Sequence, residues 1–212
     1  MIEGGAVVYV HGLWMVGAEG QLLRRRLRRQ CGFDVYTFQY GSVRTPLGQI
    51  VEALGAMLRQ LPGRQVHLLG HSLGGLIILE CLRRQRIERP GRVVLLGSPL
   101  LGSRTAARLG RLGLARPMLG RAVCEQLLAP QPRRWTSERE LGVISGSLPL
   151  GLGRLVTLRF GEENDGTIAV CETRIPGAKA YLTLPVSHLG LLFSSRVARE
   201  AGGFFQHGHF GL

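Results

Sequence analysis

The chain is poor in acid. Its 212 residues carry 14 Asp and Glu against 27 Lys and Arg, a formal net charge of +13. Aspartate is present only as Asp34 and Asp165, and every basic residue except Lys179 is an arginine. Such an excess either reflects the coding genome or favours an anionic partner, a membrane surface before nucleic acid. The densest cluster, Arg24-Arg25-Arg26 with Arg28-Arg29, is interleaved with Leu22, Leu23 and Leu27 and reads as the solvated face of a helix. Neither a nucleic-acid motif nor an aromatic stacking array accompanies it, so no nucleic-acid partner is expected.

Other absences narrow the classes further. No uninterrupted apolar run reaches the roughly 18 residues of a spanning helix. The opening MIEGGAVVYVHG lacks a basic segment followed by a long apolar one, so no signal peptide and a cytoplasmic location are expected. Cys31, Cys81, Cys124 and Cys171 lie far apart with no C-x-x-C pair, which argues against zinc and for free thiols in a reducing compartment. Neither a metal nor a cofactor is expected.

What remains is a 45% hydrophobic chain, long enough for one domain with a full core. Strand-like runs at 6–10, 34–38, 65–69, 92–96, 141–145 and 180–184 alternate with helical patterns at about 18–30, 46–61, 76–84 and 191–205. The helix at 76–84 is expected to have an apolar and a basic face. This alternation predicts βαβ units and a mostly parallel sheet of about six strands, covered by helices on both faces. From about 100 to 140 the strand pattern fails. That Gly-, Arg-, Leu- and Pro-rich stretch is expected to form a small helical cap inserted into the one domain.

Gly70-His71-Ser72-Leu73-Gly74 stands between the third strand and the following helix. It has the G-x-S-x-G spacing of a nucleophile elbow, in which a serine occupies a sharp strand-to-helix turn and small flanking residues allow close approach. A serine hydroxyl needs a base to take its proton and a carboxylate to orient that base. In elbow proteins the acid and then the base follow the serine in the chain. Asp165 is the single aspartate after Ser72, in the tight turn Asn164-Asp165-Gly166; Glu162, Glu163 and Glu172 are the competing acids. Among the later histidines, His188 follows the last strand at the carboxyl edge of the sheet, where sites in such folds gather, while His207 and His209 lie at the tail. The backbone amides of Leu73 and Leu13 are the expected oxyanion donors. His11 is expected to brace the loop after the first strand, and His71 to pack or hydrogen-bond rather than act as base.

Taken together, His11-Gly12-Leu13-Trp14, Gly70 to Gly75, Leu96-Gly97-Ser98-Pro99, Asn164 to Thr167 and Ser187-His188 resemble small bacterial lipase- and esterase-like proteins of the α/β-hydrolase superfamily. The resemblance runs from residue 6 to about 205. It implies an α/β-hydrolase fold and a serine hydrolase acting on carboxylic esters, lipid esters among the candidates, with Ser72, Asp165 and His188 as the catalytic set. Two alternatives stay open: an acyltransferase with the same residues, and a non-catalytic module binding lipid or protein. If the charge is functional, Arg104, Arg108, Arg111, Arg116 and Arg121, interleaved with cap leucines, are expected to meet an anionic membrane.

Overall fold

A computed structural model describes residues 4–103, 134–150 and 161–211. Six strands form one sheet: β1 (Gly4–Val10), β2 (Phe33–Phe38), β3 (Val66–His71), β4 (Val93–Leu96), β5 (Leu141–Gly146) and β6 (Ala180–Leu184). Their order is β2-β1-β3-β4-β5-β6 and every pair is parallel. Parallel neighbours need crossovers, and the crossovers cover both faces. That is why β3, β4 and β5 are buried at every residue and read as continuous apolar runs instead of alternating ones.

The two-residue period of the strands divides the core. Val8, Val10, Leu68, Val93, Leu95 and Val143 face one helical layer, built from α2 (Leu47–Gln60) and α3 (Leu73–Arg84). Val7, Tyr9, Leu69, Val94, Leu96 and Ile144 face the other, built from α1 (Gln21–Cys31), α4 (Gly190–Phe193) and α5 (Ser195–His207). In α1, Leu23 and Leu27 stand one turn apart on the buried side, which leaves the arginine run outside. α2 buries Ile50, Leu54 and Leu58 at four-residue spacing.

Two expectations needed correction. The last helical pattern is two helices, because Ser194 leaves the helix and caps α5, its hydroxyl accepting from Val197 N at 3.3 Å. The helix after Ser72 has no basic face. α3 is buried from Leu73 to Cys81, and Arg83 and Arg84 sit in its final turn, where they close on Glu80 at 2.9 and 2.8 Å. Cys31 and Cys81 are free thiols. Most of the expected cap, including Arg104, Arg108, Arg111, Arg116 and Arg121, and also Cys124 and the Gly-rich connection at 151–160, lies outside the described residues. Among the described residues no helix is long and apolar enough to cross a membrane.

Candidate active site

The strand-to-helix turn after β3 is as tight as its glycines suggested. A Cβ on Gly70 would fall 2.7 Å from the main chain of Gly75, so strand and helix approach closer than any side chain allows. Ser72 takes φ 52° and ψ −120°, a conformation L-residues seldom hold. The turn is kept by its neighbours: Ser72 N–H donates to Leu96 O at 2.9 Å, and Gly75 N–H donates to Ser72 O at 3.1 Å. Ser72 is thereby presented, half-buried, at the carboxyl edge of the sheet.

Asp165 and His188 are brought together at the same edge. His188 Nδ1 lies 2.6 Å from Asp165 Oδ2, with the carboxylate fully buried and the ring nearly so. A buried carboxylate is costly unless its lone pairs are taken up. Here Oδ1 accepts Thr167 N–H at 2.9 Å and Ile168 N–H at 2.7 Å, which leaves Oδ2 for the imidazole. The turn is locked from its other side, where Asn164 Oδ1 accepts Gly166 N–H at 3.0 Å. Main chain ties the two loops as well, His188 N–H donating to Asp165 O at 2.9 Å. Since a carboxylate only accepts, the proton of His188 sits on Nδ1, and Nε2 carries the lone pair a base needs.

The competing residues lie elsewhere. Glu162 and Glu163 are exposed, Glu172 is buried and takes Ala169 N–H at 2.8 Å, and His207 and His209 are exposed at the end of α5 and beyond it. Among the described residues no hydrogen bond joins Ser72 Oγ to the His188 ring. Ser72 is joined to the pair through Leu96, which accepts its N–H, and the adjoining Gly97, while Gly12 packs against Ser72 and His71. A methyl group on Gly12 would lie 3.2 Å from Ser72 Cβ and 3.1 Å from His71 Nδ1, and one on Gly97 3.1 Å from His188 Nδ1.

Leu73 opens α3, so its amide belongs to the unpaired N–H groups at a helix N-terminus. Leu13 follows Gly12 in the loop after β1. In that loop His11, the expected brace, is joined by two residues that sequence reasoning passed over, Tyr40 and Ser42. His11 stacks on Tyr40 with ring centroids 4.2 Å apart, Tyr40 Oη donates to His11 O at 2.7 Å, and Trp14 N–H donates to Ser42 Oγ at 3.1 Å, with Trp14 itself at φ 60°. Tyr40 and Ser42 come from the loop after β2, and only the pairing of β2 with β1 reveals their proximity. Burial lowers the His11 pKa and raises that of Tyr40, so both stay neutral near pH 7. His71 is wholly buried beside His188, its rings 4.8 Å apart, and burial together with His188 pushes its pKa down to about 3.

Among the described residues no group of three or more His, Cys, Asp or Glu could hold a metal ion. A cleft of about 710 Å³ opens at the opposite edge of the sheet, between the α3–β4 connection and the start of β5. Its deepest guanidinium, Arg139, gives its protons to Val66 O and Arg89 O, and Arg92 pairs with Glu140 at 2.6 Å.

Solved structures with similar folds include the mature lipase BlEst2 of Bacillus licheniformis, at 21% identity and TM-score 0.70, covering 88% of this chain and 86% of that one. The metagenomic carboxyl esterase MGS0156 aligns at 19% identity and TM-score 0.67, over 89% of this chain and 65% of the other. A lipase-esterase related protein from Clostridium acetobutylicum ATCC 824 aligns at 10% identity and TM-score 0.63, over 96% of both chains. No curated protein sequence matches the chain. Residues 7–194 match the alpha/beta hydrolase family, and the chain belongs to it.

Proposed function

We propose that this protein is a serine hydrolase that cleaves carboxylic esters through an acyl-enzyme on Ser72. The observation that carries the reading is the buried Asp165–His188 pair at 2.6 Å, on the sheet edge where the strained Ser72 turn emerges. In this reading His188 Nε2 takes the Ser72 hydroxyl proton as Oγ attacks the acyl carbon. The oxyanion is met by the Leu13 and Leu73 amides, each such donor being worth about 3 kcal/mol in related chemistry. His188 then protonates the departing alcohol oxygen. Water enters, His188 takes its proton, the acyl–Oγ bond breaks, and the carboxylic acid leaves with Ser72 reprotonated. Catalytic hydrogen bonds in unliganded enzymes are often long and tighten with substrate, which is compatible with the absence of a Ser72–His188 bond here.

An apolar acyl group is favoured by what surrounds the site. Trp14, next to Leu13, is 62% exposed, and Leu189, next to His188, is 51% exposed; Val16, Leu101, Leu148 and Leu150 are exposed on loops leaving the same edge. Apolar side chains left in water beside a reactive serine suit a substrate with a hydrocarbon arm. The solved folds above that are named lipase or esterase are consistent with this choice.

The test is labelling with a fluorophosphonate probe, followed by hydrolysis of acyl esters of graded length. Wild type should label and turn over esters. Ser72→Ala should fold, resist the probe and lose several orders of magnitude in turnover. Wild-type rates in that variant would remove Ser72 as nucleophile.

A further inference from the structure

An imidazole base is only as well placed as the main chain that carries it. Asp165 holds the His188 ring at Nδ1, but the His188 carbonyl is held by a different residue: it lies 3.1 Å from Nε2 of His71. His71 is the last residue of β3 and the covalent neighbour of Ser72. One side chain therefore joins the strand bearing the serine to the loop bearing the base, across 117 positions of sequence. The tautomer follows from the partner. A carbonyl only accepts, so the proton sits on Nε2, and Nδ1 is left as a bare acceptor. Nδ1 has no hydrogen-bond partner and faces Gly12, where even a methyl group would come within 3.1 Å. A fully buried histidine that leaves one nitrogen unsatisfied is not there to maximise stability, since an orphaned polar atom is destabilising. Because burial and the neighbouring imidazole keep His71 neutral, it adds no charge beside the base.

We propose that His71 is a positioning residue, which sets the separation of Ser72 and His188 by tying the His188 carbonyl to the strand that carries the serine. The proposal rests on the reading of Ser72 and His188 as nucleophile and base. Two substitutions of similar polarity separate the hydrogen bond from packing. In His71→Gln the amide nitrogen falls near the position of Nε2, whereas in His71→Asn it reaches only as far as Nδ1. His71→Asn should lower kcat about 10- to 100-fold with KM within about threefold, the loss expected when a reacting group shifts by an ångström or less. His71→Gln should recover most of that loss. The low-field proton resonance of His188 Nδ1–H should stay sharp in the Gln variant and broaden in the Asn variant. Should His71→Asn not fold, His71→Phe keeps the ring and lacks the donor, and takes its place. Asn at wild-type kcat, or Gln and Asn equally impaired, overturns the proposal. Ser72→Ala, run alongside, separates the two failures. Activity that survives it removes the nucleophile assignment, whereas activity lost there but retained in His71→Asn removes only the positioning role.

Discussion

Gly97 offers the sharpest perturbation of the Asp165–His188 pair without touching either residue. It follows β4, donates its N–H to Ile144 O at 2.9 Å, and holds φ +54°. A Cβ built there would lie 3.1 Å from Asp165 Oδ2, 3.1 Å from His188 Nδ1 and 2.8 Å from Leu191 Cδ1. Alanine at this position therefore meets two costs. The left-handed backbone costs about 1 kcal/mol for a residue with a Cβ. Displacing the fully buried Leu191 adds about 1–3 kcal/mol of overpacking. A total of about 2–4 kcal/mol corresponds to a fall in Tm of roughly 5–15 °C for a chain of this length. The kinetic effect has a different origin. The new methyl sits over the 2.6 Å hydrogen bond, so carboxylate and imidazole must part by a few tenths of an ångström. Hence kcat for an acyl ester should fall about 10- to 100-fold at nearly constant KM. Urea unfolding followed by circular dichroism, and initial rates well below the variant's Tm, measure the two parts separately. A folded Gly97→Ala protein with wild-type kcat, or one whose KM rises while kcat holds, would refute the reasoning.

Asp165→Asn should leave substrate binding nearly unchanged and lower turnover about 10³- to 10⁴-fold, because an amide favours the other His188 tautomer. Glu162→Gln and Glu163→Gln, both at exposed positions, should change little; a large loss in either, with a mild one at Asp165, would move the acid. Stability should fall on acidification. Burial holds the pKa of His67 down to about 4 and of His71 to about 3, against an ordinary 6.5. Below pH 6.5 the unfolded chain thus binds protons that the folded one refuses, so stability is present near pH 7 and is lost as the pH falls toward 4, by up to about 1.4 kcal/mol per pH unit for each group. Unfolding midpoints in urea at pH 7.5, 6 and 5 should fall in that order, less steeply in His67→Gln; a midpoint independent of pH would contradict the buried, neutral state of both rings.

Much of the fold was legible because parallel strands have to be apolar on both faces. Val7-Val8-Tyr9-Val10 and Val93-Val94-Leu95-Leu96 are too short for helices and too uniformly apolar for exposed strands, and all six expected strands are present. The helix errors share a physical cause. A helical period shows which residues share a face but not how much of the circumference is covered. α3 is covered nearly all round because it packs on the sheet and against α2, so Glu80 was drawn inward and Arg83 and Arg84 cover its carboxylate from the last turn. At Ser194 a local choice, side chain to backbone, prevailed over a continuous apolar pattern.

The candidate site divides in the same manner. Ser72 could be found from five residues, Asp165 from the scarcity of aspartate, and His188 from its place after the last strand, since each signal is local or compositional. The residues that hold them depend on which strands are neighbours and in which register. Val10 pairs with Gly70, and His71 with Leu96. Those two pairings set Gly12 against Ser72 and bring Gly97 to the pair that Asp165 and His188 form. A shift of one residue in the register of β4 on β3 would turn Leu96 to the opposite layer and remove Gly97 from that contact. The candidate residues can be read from type and order, whereas those that support them follow from the order β2-β1-β3-β4-β5-β6, which no single segment of the chain encodes. For that reason substitutions at Gly97 and His71, which carry no chemistry in the proposed reaction, test the site more severely than substitutions at Ser72.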